Sequence, residues 1–219
     1  MTRILIVDDH EILRAGLRHI LSDCPDIEVA GEADNGVEAL AKIRTEHWDA
    51  VVLDMTMPGK SGIELIKQIK GEKPKLPILV LSMHKEDIYA MRTLKAGASG
   101  YLCKDNAAPQ LEQAIRKVAG GGLFISPEVA EQVAAGMLRH GGDDAPPHTR
   151  LSDREYQIFQ SIVEGKGLTE MAGEMHLSVK TVSSYKTRIL DKMGMGSAAE
   201  LVRYAVRHEL VSGIDDPGK

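Results

Sequence analysis

Five polar residues follow short apolar runs in the first half of the chain, and together they could carry phosphoryl chemistry. Asp8 and Asp9 follow one run, and Asp54, Ser82 and Lys104 follow or end three others. Two carboxylates roughly 4 Å apart repel each other by about 4 kcal/mol at an effective dielectric of 20, and a hard divalent cation such as Mg²⁺ relieves that repulsion. A carboxylate beside the cation could accept a phosphoryl group, and Lys104 and Ser82 could contact the phosphoryl oxygens.

The elements that must position these residues alternate between strand and helix. The apolar runs are typical of strands buried on both faces of a parallel sheet: they are Ile4–Val7, Ile27–Ala30, Ala50–Leu53, Ile78–Leu81 and Gly100–Leu102. Amphipathic helical patterns accompany them, at Glu11–Leu21, Gly36–Glu46, Gly62–Lys70, Asp87–Ala96 and Ala107–Ala119. Five such units predict an α/β fold with a doubly wound, five-stranded parallel sheet, flavodoxin-like in plan, whose chemistry lies at the carboxyl ends of the strands.

Each of these residues also has a simpler interpretation when it is taken alone. Asp9 or His10 could merely cap the helix that begins at Glu11. Lys104 could be a solvated lysine, and Tyr101, next to the end of the fifth strand, could be a core residue. The joint pattern favours a site, because the five polar residues occupy the corresponding ends of four different strands.

Composition limits the classes of protein to consider. The chain has 219 residues and a net charge of -5, and 43% of its residues are hydrophobic, which suits a globular protein of one or two domains. Only two cysteines occur, Cys24 and Cys103, so neither a disulfide framework nor a zinc site is expected. The sequence contains neither an apolar run long enough to span a membrane nor a secretion signal, and we expect a cytoplasmic location.

The βα pattern ends at three consecutive glycines, 120–122, and a different organisation follows. A short helix is predicted over about Pro127–Leu138, then a flexible segment, His140–His148. Further helices are predicted at about Ser152–Glu164, Leu168–Met175, Ser178–Met193 and Ala198–Leu210. We therefore expect one domain over residues 1–121, a linker with a short helix over 122–148, an all-α helix-turn-helix domain over 149–212, and a flexible tail over 213–219.

The third helix of the C-terminal half concentrates positive charge. Residues 178–193 contain four basic residues and one acidic residue, and residues 149–212 carry a net charge of +1, against −6 for the rest of the chain. Val182, Ile189, Leu190 and Met193 are predicted to face the core of this half. By itself this pattern fits either a solvated amphipathic helix or a helix that reads DNA.

Residues 1–120 resemble the receiver domain of two-component response regulators. The resemblance rests on Val7-Asp8-Asp9-His10, Leu53-Asp54-Met55-Thr56-Met57-Pro58-Gly59, Leu81-Ser82 and Gly97 to Asp105. It implies that Asp54 is the phosphoacceptor and that Lys104 binds the phosphoryl group. It further implies that Mg²⁺ or Mn²⁺ is bound by Asp9, Asp54 and the Thr56 backbone carbonyl, with Asp8 acting through water, and that Ser82 and Tyr101 form a switch pair.

Residues Leu151–Tyr204 resemble the LuxR-type DNA-binding domain. The resemblance rests on Leu151 to Glu155, Glu164-Gly165-Lys166, Met171-Ala172, Leu177 to Val182, Ile189 to Met193 and Ala199 to Val202. The resemblance implies base contacts from Ser183, Ser184 and Thr187. It implies mostly phosphate contacts from Lys180, Thr181, Lys186, Arg188 and Lys192. Tyr185 stands where the family most often has His, and Gly167 and Leu168 replace a polar helix start, which weakens the cap of that helix.

A receiver joined to a LuxR-type domain is the arrangement of the NarL/FixJ family, and the resemblance covers nearly the whole chain. It implies a transcriptional regulator that a histidine kinase phosphorylates and that dimerises, binds double-stranded promoter DNA and acts on RNA polymerase. Phosphorylation would draw Ser82 toward the phosphate and turn Tyr101 inward. Two alternatives are a DNA-binding regulator that does not depend on phosphorylation and an aspartyl-phosphate hydrolase. The hydrolase would need a second Asp where the chain has Thr56.

Overall fold

A computed structural model of the chain describes residues 1–55, 57, 62–82, 87–104, 107–126, 130–131, 146–208 and 210. The chain divides into an N-terminal unit, Met1–Gly136, and a C-terminal unit, Met137–Lys219. The predicted short helix over Pro127–Leu138 lies mostly outside the described residues, and the predicted tail lies wholly outside them. No helix among the described residues is both long enough and apolar enough to cross a membrane.

The N-terminal unit is built on a parallel five-stranded sheet. Its strands are β1 Thr2–Val7, β2 Ile27–Ala33, β3 Ala50–Asp54, β4 Ile78–Ser82 and β5 Gly100–Cys103, in the spatial order β2-β1-β3-β4-β5. Every residue of β3 and β4 is buried, because helices cover both faces of the sheet. The predicted α/β fold class is confirmed.

Five helices accompany these strands along the chain: α1 Glu11–Ser22, α2 Gly36–Thr45, α3 Gly62–Glu72, α4 Asp87–Lys95 and α5 Ala107–Ala119. One face of the sheet packs against α1 and α5 through a continuous apolar core that includes Ile4, Val52, Leu81 and Ile115. The predicted helix limits agree with these bounds to within two residues. The strands run slightly further than predicted, so that Asp54 and Ser82 are the last residues of β3 and β4.

The segment after α5 continues the N-terminal unit. Phe124 is buried in the core beside β5, its N–H donates to the Ser99 carbonyl, and its carbonyl accepts from Tyr101 N–H at 2.9 Å. Residues 122–126, which the sequence analysis assigned to the linker, thus extend the packed part of this unit. The apolar Phe124 covers the end of the core, so the packed part of the unit continues beyond the boundary predicted at residue 121.

The C-terminal unit is helical where the structure describes it. A 3₁₀ helix, Pro147–Arg150, precedes α6 Asp153–Val163, α7 Leu168–Glu174, α8 Val179–Met193 and α9 Ala198–Arg207. The 3₁₀ helix packs against α8, so Pro147 and His148 belong to the folded unit although the sequence analysis assigned them to a flexible segment. Helix α9 ends three residues earlier than predicted, but Leu210 is still buried.

Candidate functional site

An aspartate-rich site lies at the carboxyl edge of the sheet, where β1, β3 and β5 end. Lys104 Nζ lies 2.9 Å from Asp8 Oδ2 and 3.0 Å from Asp54 Oδ1. The side chains of Asp8 and Asp54 are at most 2% exposed, and that of Lys104 is 9% exposed. Buried carboxylates are stabilised only when an opposite charge or hydrogen bonds compensate them. Lys104 therefore supplies the positive charge that lets two carboxylates share this pocket.

The turn from β1 into α1 fixes the Asp8 carboxylate. The His10 backbone N–H donates to Asp8 Oδ1 at 2.8 Å, and Arg14 Nη1 donates to the Asp8 carbonyl at 2.7 Å. Arg14 also forms an ion pair with Glu32 on β2. His10 is the N-cap residue of α1, but its side chain makes no capping hydrogen bond. Asp8 thus organises the turn as well as the site, and Arg14, which the sequence analysis did not single out, supports it.

Four side chains in this region could hold a metal ion. One ligand atom from each of Asp8, Asp9, His10 and Asp54 lies within 4.8 Å of the others. Three carboxylates from two strand ends suit a hard divalent cation, which prefers oxygen ligands. These residues therefore fit the metal site that the sequence predicts. Thr56, whose carbonyl the resemblance adds to the ligand set, lies outside the described residues.

Ser82 and Tyr101, the predicted switch pair, lie on the neighbouring strands β4 and β5. Ser82 is fully buried and is paired in register with Cys103, the residue before Lys104. Asp54 on β3 is paired in register with Leu81 on β4, and Ser82 is the next residue along β4. Tyr101 is already buried in this structure, at 3% exposure. Both positions are compatible with the predicted switch, and Tyr101 is at the same time a core residue.

The loops that complete this edge are described only in part. Pro58 and Gly59, at the end of the receiver motif that contains Asp54, and Asp105, after the lysine, lie outside the described residues. Gly62 begins α3, and a Cβ atom there would lie 2.7 Å from Met55 Sδ. The close approach of α3 to the residue after Asp54 therefore requires glycine at this position.

A second candidate site is the helix-turn-helix formed by α7 and α8. The turn between them includes His176 in the left-handed region, at a φ of 51°, and Ser178 then caps α8 by accepting from Thr181 N–H at 3.0 Å. Gly194 ends α8 with a φ of 66°, and the Met195 N–H returns to the Leu190 carbonyl. These two caps define a helix of 15 residues with one face free of the core.

The inner face of α8 packs through Val182, Ile189 and Met193, which are buried, whereas Leu190 is only half-buried. The opposite face is exposed and polar, as the sequence predicts: it presents Lys180, Ser183, Ser184, Thr187, Arg188 and Asp191. Thr181 and Lys186 are half-buried at its border, and Lys192 is exposed. The residues predicted to contact DNA therefore share one helix and, for the most part, one surface.

Several of these side chains already make contacts within the unit. The hydroxyls of Ser184 and Thr187 donate to the carbonyls of Lys180 and Ser183 at 3.0 Å and 3.2 Å. The Arg188 guanidinium lies 5.8 Å from the centre of the Tyr185 ring, within the range of a cation–π contact. These contacts hold Arg188, Ser184 and Thr187 in place before any ligand binds.

Helix α6 is held by a capping box and by a lysine from α8. Ser152 N–H donates to Glu155 Oε2 at 2.7 Å, and Lys192 Nζ lies 2.6 Å from the same oxygen. Burial acts to raise the pKa of Glu155, but Lys192 and the Ser152 N–H outweigh it, and the pKa lies below its usual value. From the sequence, Lys192 is assigned only to a DNA phosphate.

Two further residues of the C-terminal unit were not identified from the sequence. Arg154 Nη2 donates to the Met175 carbonyl at 3.0 Å and so closes the end of α7. His148 is buried, and its Nδ1 lies 2.6 Å from the Tyr204 hydroxyl on α9. Both contacts join segments distant in sequence and stabilise the frame that supports α8. Arg154 belongs to the LuxR-type motif Leu151 to Glu155, but that motif does not indicate which residue the Arg154 side chain contacts.

The chain matches two family models. Residues 4–116 match the response regulator receiver domain, and residues 149–205 match the bacterial regulatory proteins of the luxR family. Among curated relatives, the response regulator UvrY of Escherichia coli K12 is 38% identical over 210 residues, which cover 96% of each chain. The response regulator GacA of Pseudomonas viridiflava is 36% identical over 211 residues, 96% of this chain and 98% of GacA.

Solved structures of the response regulator RcsB are also similar. RcsB from Salmonella enterica serovar Typhimurium, bound to the promoter rprA in the presence of the phosphomimetic BeF₃⁻, is 28% identical, with a TM-score of 0.67 over 94% of this chain and 99% of that one. A structure of two RcsB dimers bound to two parallel DNAs is 27% identical, with a TM-score of 0.58 over 94% of this chain and 98% of that one.

Proposed function

Because the chain belongs to the NarL/FixJ family of response regulators, which are DNA-binding transcription regulators of two-component systems, we propose that phosphorylation of Asp54 controls its binding to promoter DNA. The observation that carries the proposal is the contact of Lys104 with both Asp8 and Asp54 in a buried pocket at the sheet edge. That pocket contains a nucleophile, a cation for the phosphoryl oxygens and further carboxylates for a metal.

The reaction at Asp54 is a transfer of one phosphoryl group. A carboxylate oxygen of Asp54 attacks the phosphorus of the donor, and the bond between phosphorus and the donor's leaving atom breaks, so that an acyl phosphate forms on Asp54. The product carries about −1.5 to −2 charge, and Lys104 offsets part of it. Asp8, Asp9 and Asp54 would hold Mg²⁺ or Mn²⁺, which neutralises charge on the transferring group. The chain's only chemistry, on this proposal, is its own phosphorylation and dephosphorylation.

Phosphorylation is proposed to act through Ser82 and Tyr101. The new charge at Asp54 draws the Ser82 hydroxyl toward it, and Tyr101 favours its buried position beside β4. The burial of Ser82 supports this proposal, since a change at Ser82 must repack its neighbours. The outcome is a two-state equilibrium in the receiver that favours a homodimer.

The dimer is proposed to place one α8 of each protomer in the major groove of promoter DNA. Ser183, Ser184 and Thr187 face base edges, and the basic residues mostly contact phosphates: these are Lys180, Lys186, Arg188 and Lys192, with Thr181 beside them. The exposed polar face of α8 supports this assignment, as do the RcsB structures with dimers on DNA. Contacts to phosphate position the helix, and contacts to bases specify the sequence.

Three partners follow from this function. A sensor histidine kinase supplies the phosphoryl group, promoter DNA binds α8, and RNA polymerase responds to the bound regulator. A protein that regulates bacterial promoters acts in the cytoplasm, where the chromosome lies. We also propose the domain limits given by the sequence, with the receiver extended to include the packed Phe124 and the DNA-binding domain extended to include His148.

Phosphorylation of Asp54 is tested directly by intact-protein mass spectrometry. The chain is incubated with a small phosphodonor such as acetyl phosphate and Mg²⁺, and the same is done with Asp54→Asn and with Asp23→Asn, an exposed aspartate at the end of α1. We expect one added phosphoryl group in the wild type and in Asp23→Asn, and none in Asp54→Asn. Equal phosphorylation of Asp54→Asn would overturn the assignment of the phosphoacceptor.

The two alternatives make different predictions. If the regulator did not depend on phosphorylation, the Asp54→Asn variant would bind DNA as well as the wild type does. The contact between Lys104 and Asp54 would then have no role in regulation. A hydrolase would release phosphate from a chromogenic ester with repeated turnover. The exposed basic face of α8 favours a DNA-binding function over the hydrolase.

A further inference from the structure

His10 directs a ring nitrogen into the acidic site rather than toward its own helix. Its Nδ1 lies 2.9 Å from Asp9 Oδ1 and 3.3 Å from Asp8 Oδ1. The residue occupies the N-cap position of α1, yet its side chain accepts no hydrogen bond from the helix. The imidazole is therefore not used for capping, the role that the sequence would most simply assign to it.

His10 Nδ1 lies within hydrogen-bond distance of Asp8 Oδ1, and the separations between these atoms also suit neighbouring positions around a single cation. An octahedral ion with ligands at about 2.1 Å has adjacent ligand atoms about 3.0 Å apart. The His10 nitrogen and the Asp9 oxygen are separated by 2.9 Å. His10, Asp8, Asp9 and Asp54 each offer one ligand atom to a cluster in which these atoms lie within 4.8 Å of one another.

Lys104 does not occupy the side of the site that His10 faces. The lysine contacts Asp8 through Oδ2, whereas His10 faces Asp8 Oδ1. The Asp8 carboxylate thus separates a phosphate-binding side, with Lys104, from a side with His10 and Asp9. The Asp9 side chain is 26% exposed and that of His10 is 65% exposed, so the His10 side opens to solvent, where an ion can enter.

The charges of the site leave room for a divalent cation with a neutral ligand. Asp8, Asp9 and Asp54 carry three negative charges and Lys104 carries one positive charge, so that a divalent ion balances the remainder. A neutral imidazole adds a ligand without adding charge. Mg²⁺ prefers oxygen ligands and retains water. First-row transition ions bind nitrogen ligands with an affinity that rises along the series from Mn²⁺, the weakest of them.

We propose that His10 contributes a nitrogen ligand to the divalent cation in this receiver, so that the site favours Mn²⁺ over Mg²⁺ more strongly than its carboxylates alone would. The proposal rests on the metal site in the proposed function, because it assigns a ligand to that site. It leaves the roles of Asp54 and Lys104 unchanged.

The direct test is pulsed EPR of the full chain, without a histidine tag, loaded with Mn²⁺ alone. A coordinated imidazole produces ¹⁴N modulation of the electron spin echo from Mn²⁺. We expect this modulation in the wild type and its loss in His10→Ala. His19→Ala, which removes another exposed histidine of α1, is the matched control and should keep the modulation. Continuous-wave EPR of free Mn²⁺ gives the bound fraction for each variant, and circular dichroism verifies folding.

Affinities provide a second readout. We expect His10→Ala to weaken Mn²⁺ binding by about 10-fold, a typical loss when a group that orders a metal site is removed. Mg²⁺ binding, measured by competition against Mn²⁺, should weaken by a smaller factor, so the preference for Mn²⁺ falls. His19→Ala should change neither affinity.

Three results would contradict the proposal, and they are distinguishable. Bound Mn²⁺ without ¹⁴N modulation in the wild type would overturn the His10 ligand and leave the acidic metal site intact. Modulation that persists in His10→Ala would assign the nitrogen to another residue and likewise overturn it. Failure of the wild type to bind Mn²⁺ would overturn both this inference and the metal site in the proposed function.

Discussion

Lys192, near the end of the proposed recognition helix, forms an ion pair with Glu155 at the start of α6, with 2.6 Å between Nζ and Oε2. Glu155 has a side chain that is only 5% exposed, whereas that of Lys192 is 43% exposed. A lysine predicted to contact DNA thus also compensates a buried carboxylate. The recognition helix is thereby tied to the capping box of α6.

The first prediction concerns the stability of this pair. Lys192→Met leaves the Glu155 carboxylate buried without its lysine partner, and only the uncharged donors of Ser152 described above remain. It should lower the free energy of unfolding of the C-terminal unit by about 1–2 kcal/mol, a value reduced by the partial exposure of the lysine. Urea unfolding followed by hydrogen exchange in α6 and α8 measures it. Lys180→Met, in the first turn of α8, is the control, and an equal loss there would contradict the special role of Lys192.

The pH dependence of the same unit follows from the lowered pKa of Glu155. A carboxyl group whose pKa is lower in the folded state stabilises the fold above its unfolded pKa, about 4.3, and loses this contribution as the pH falls through the folded value. We expect protection of α6 and α8 from hydrogen exchange to decline below about pH 4.3. The decline should be smaller in Glu155→Gln. Identical pH profiles for the two proteins would show that Glu155 is not responsible.

Lys104→Ala tests the coupling between phosphorylation and DNA binding. Lys104 contacts Asp54 directly. Its removal therefore takes away the positive charge that binds the phosphoryl oxygens and through which the switch would respond to them. Phosphorylation of Asp54 should still be detected by mass spectrometry, but it should no longer tighten DNA binding. Lys70→Ala, at the end of α3, serves as the control. Unaltered coupling in Lys104→Ala would remove the lysine from the proposed switch.

Arg188→Ala tests whether an exposed residue of α8 binds phosphate. Loss of one phosphate contact per protomer should weaken binding to all DNA sequences and reduce the slope of log affinity against log salt by about one per protomer. Fluorescence anisotropy at several salt concentrations measures both effects, with Arg203→Ala on the exposed side of α9 as the control. A loss confined to one base pair would instead mean that Arg188 reads a base.

The sequence predicts that Asp8, Asp54 and Lys104 lie close together, because their proximity depends on strand ends. Parallel strands bring their carboxyl ends to one edge, so the alternation of strands and helices suffices to bring Asp8, Asp54 and Lys104 together. The ion pair of Lys192 with Glu155 and the hydrogen bond of Arg154 to Met175 depend instead on how helices far apart in sequence pack. Hydrophobic periodicity places a residue on a face but does not name the partner that it meets there.

The same limit applies to His10 and His148. From the sequence, His10 is a possible cap and His148 the end of a flexible segment, because both lie next to residues typical of turns. In the structure, the Asp8 turn directs His10 toward the carboxylates, and the hydrogen bond with Tyr204 accompanies the burial of His148. Both outcomes follow from tertiary contacts that override local propensity.

The central claim, that phosphorylation of Asp54 gates DNA binding, is tested most directly by fluorescence anisotropy with promoter DNA selected from a random duplex library. Binding is measured for the wild type and for Asp54→Ala, each with and without a small phosphodonor and Mg²⁺. The account predicts that the donor tightens binding of the wild type and leaves Asp54→Ala unchanged. Equal binding by both proteins, with or without the donor, would contradict it and would show that the receiver does not control α8 through Asp54.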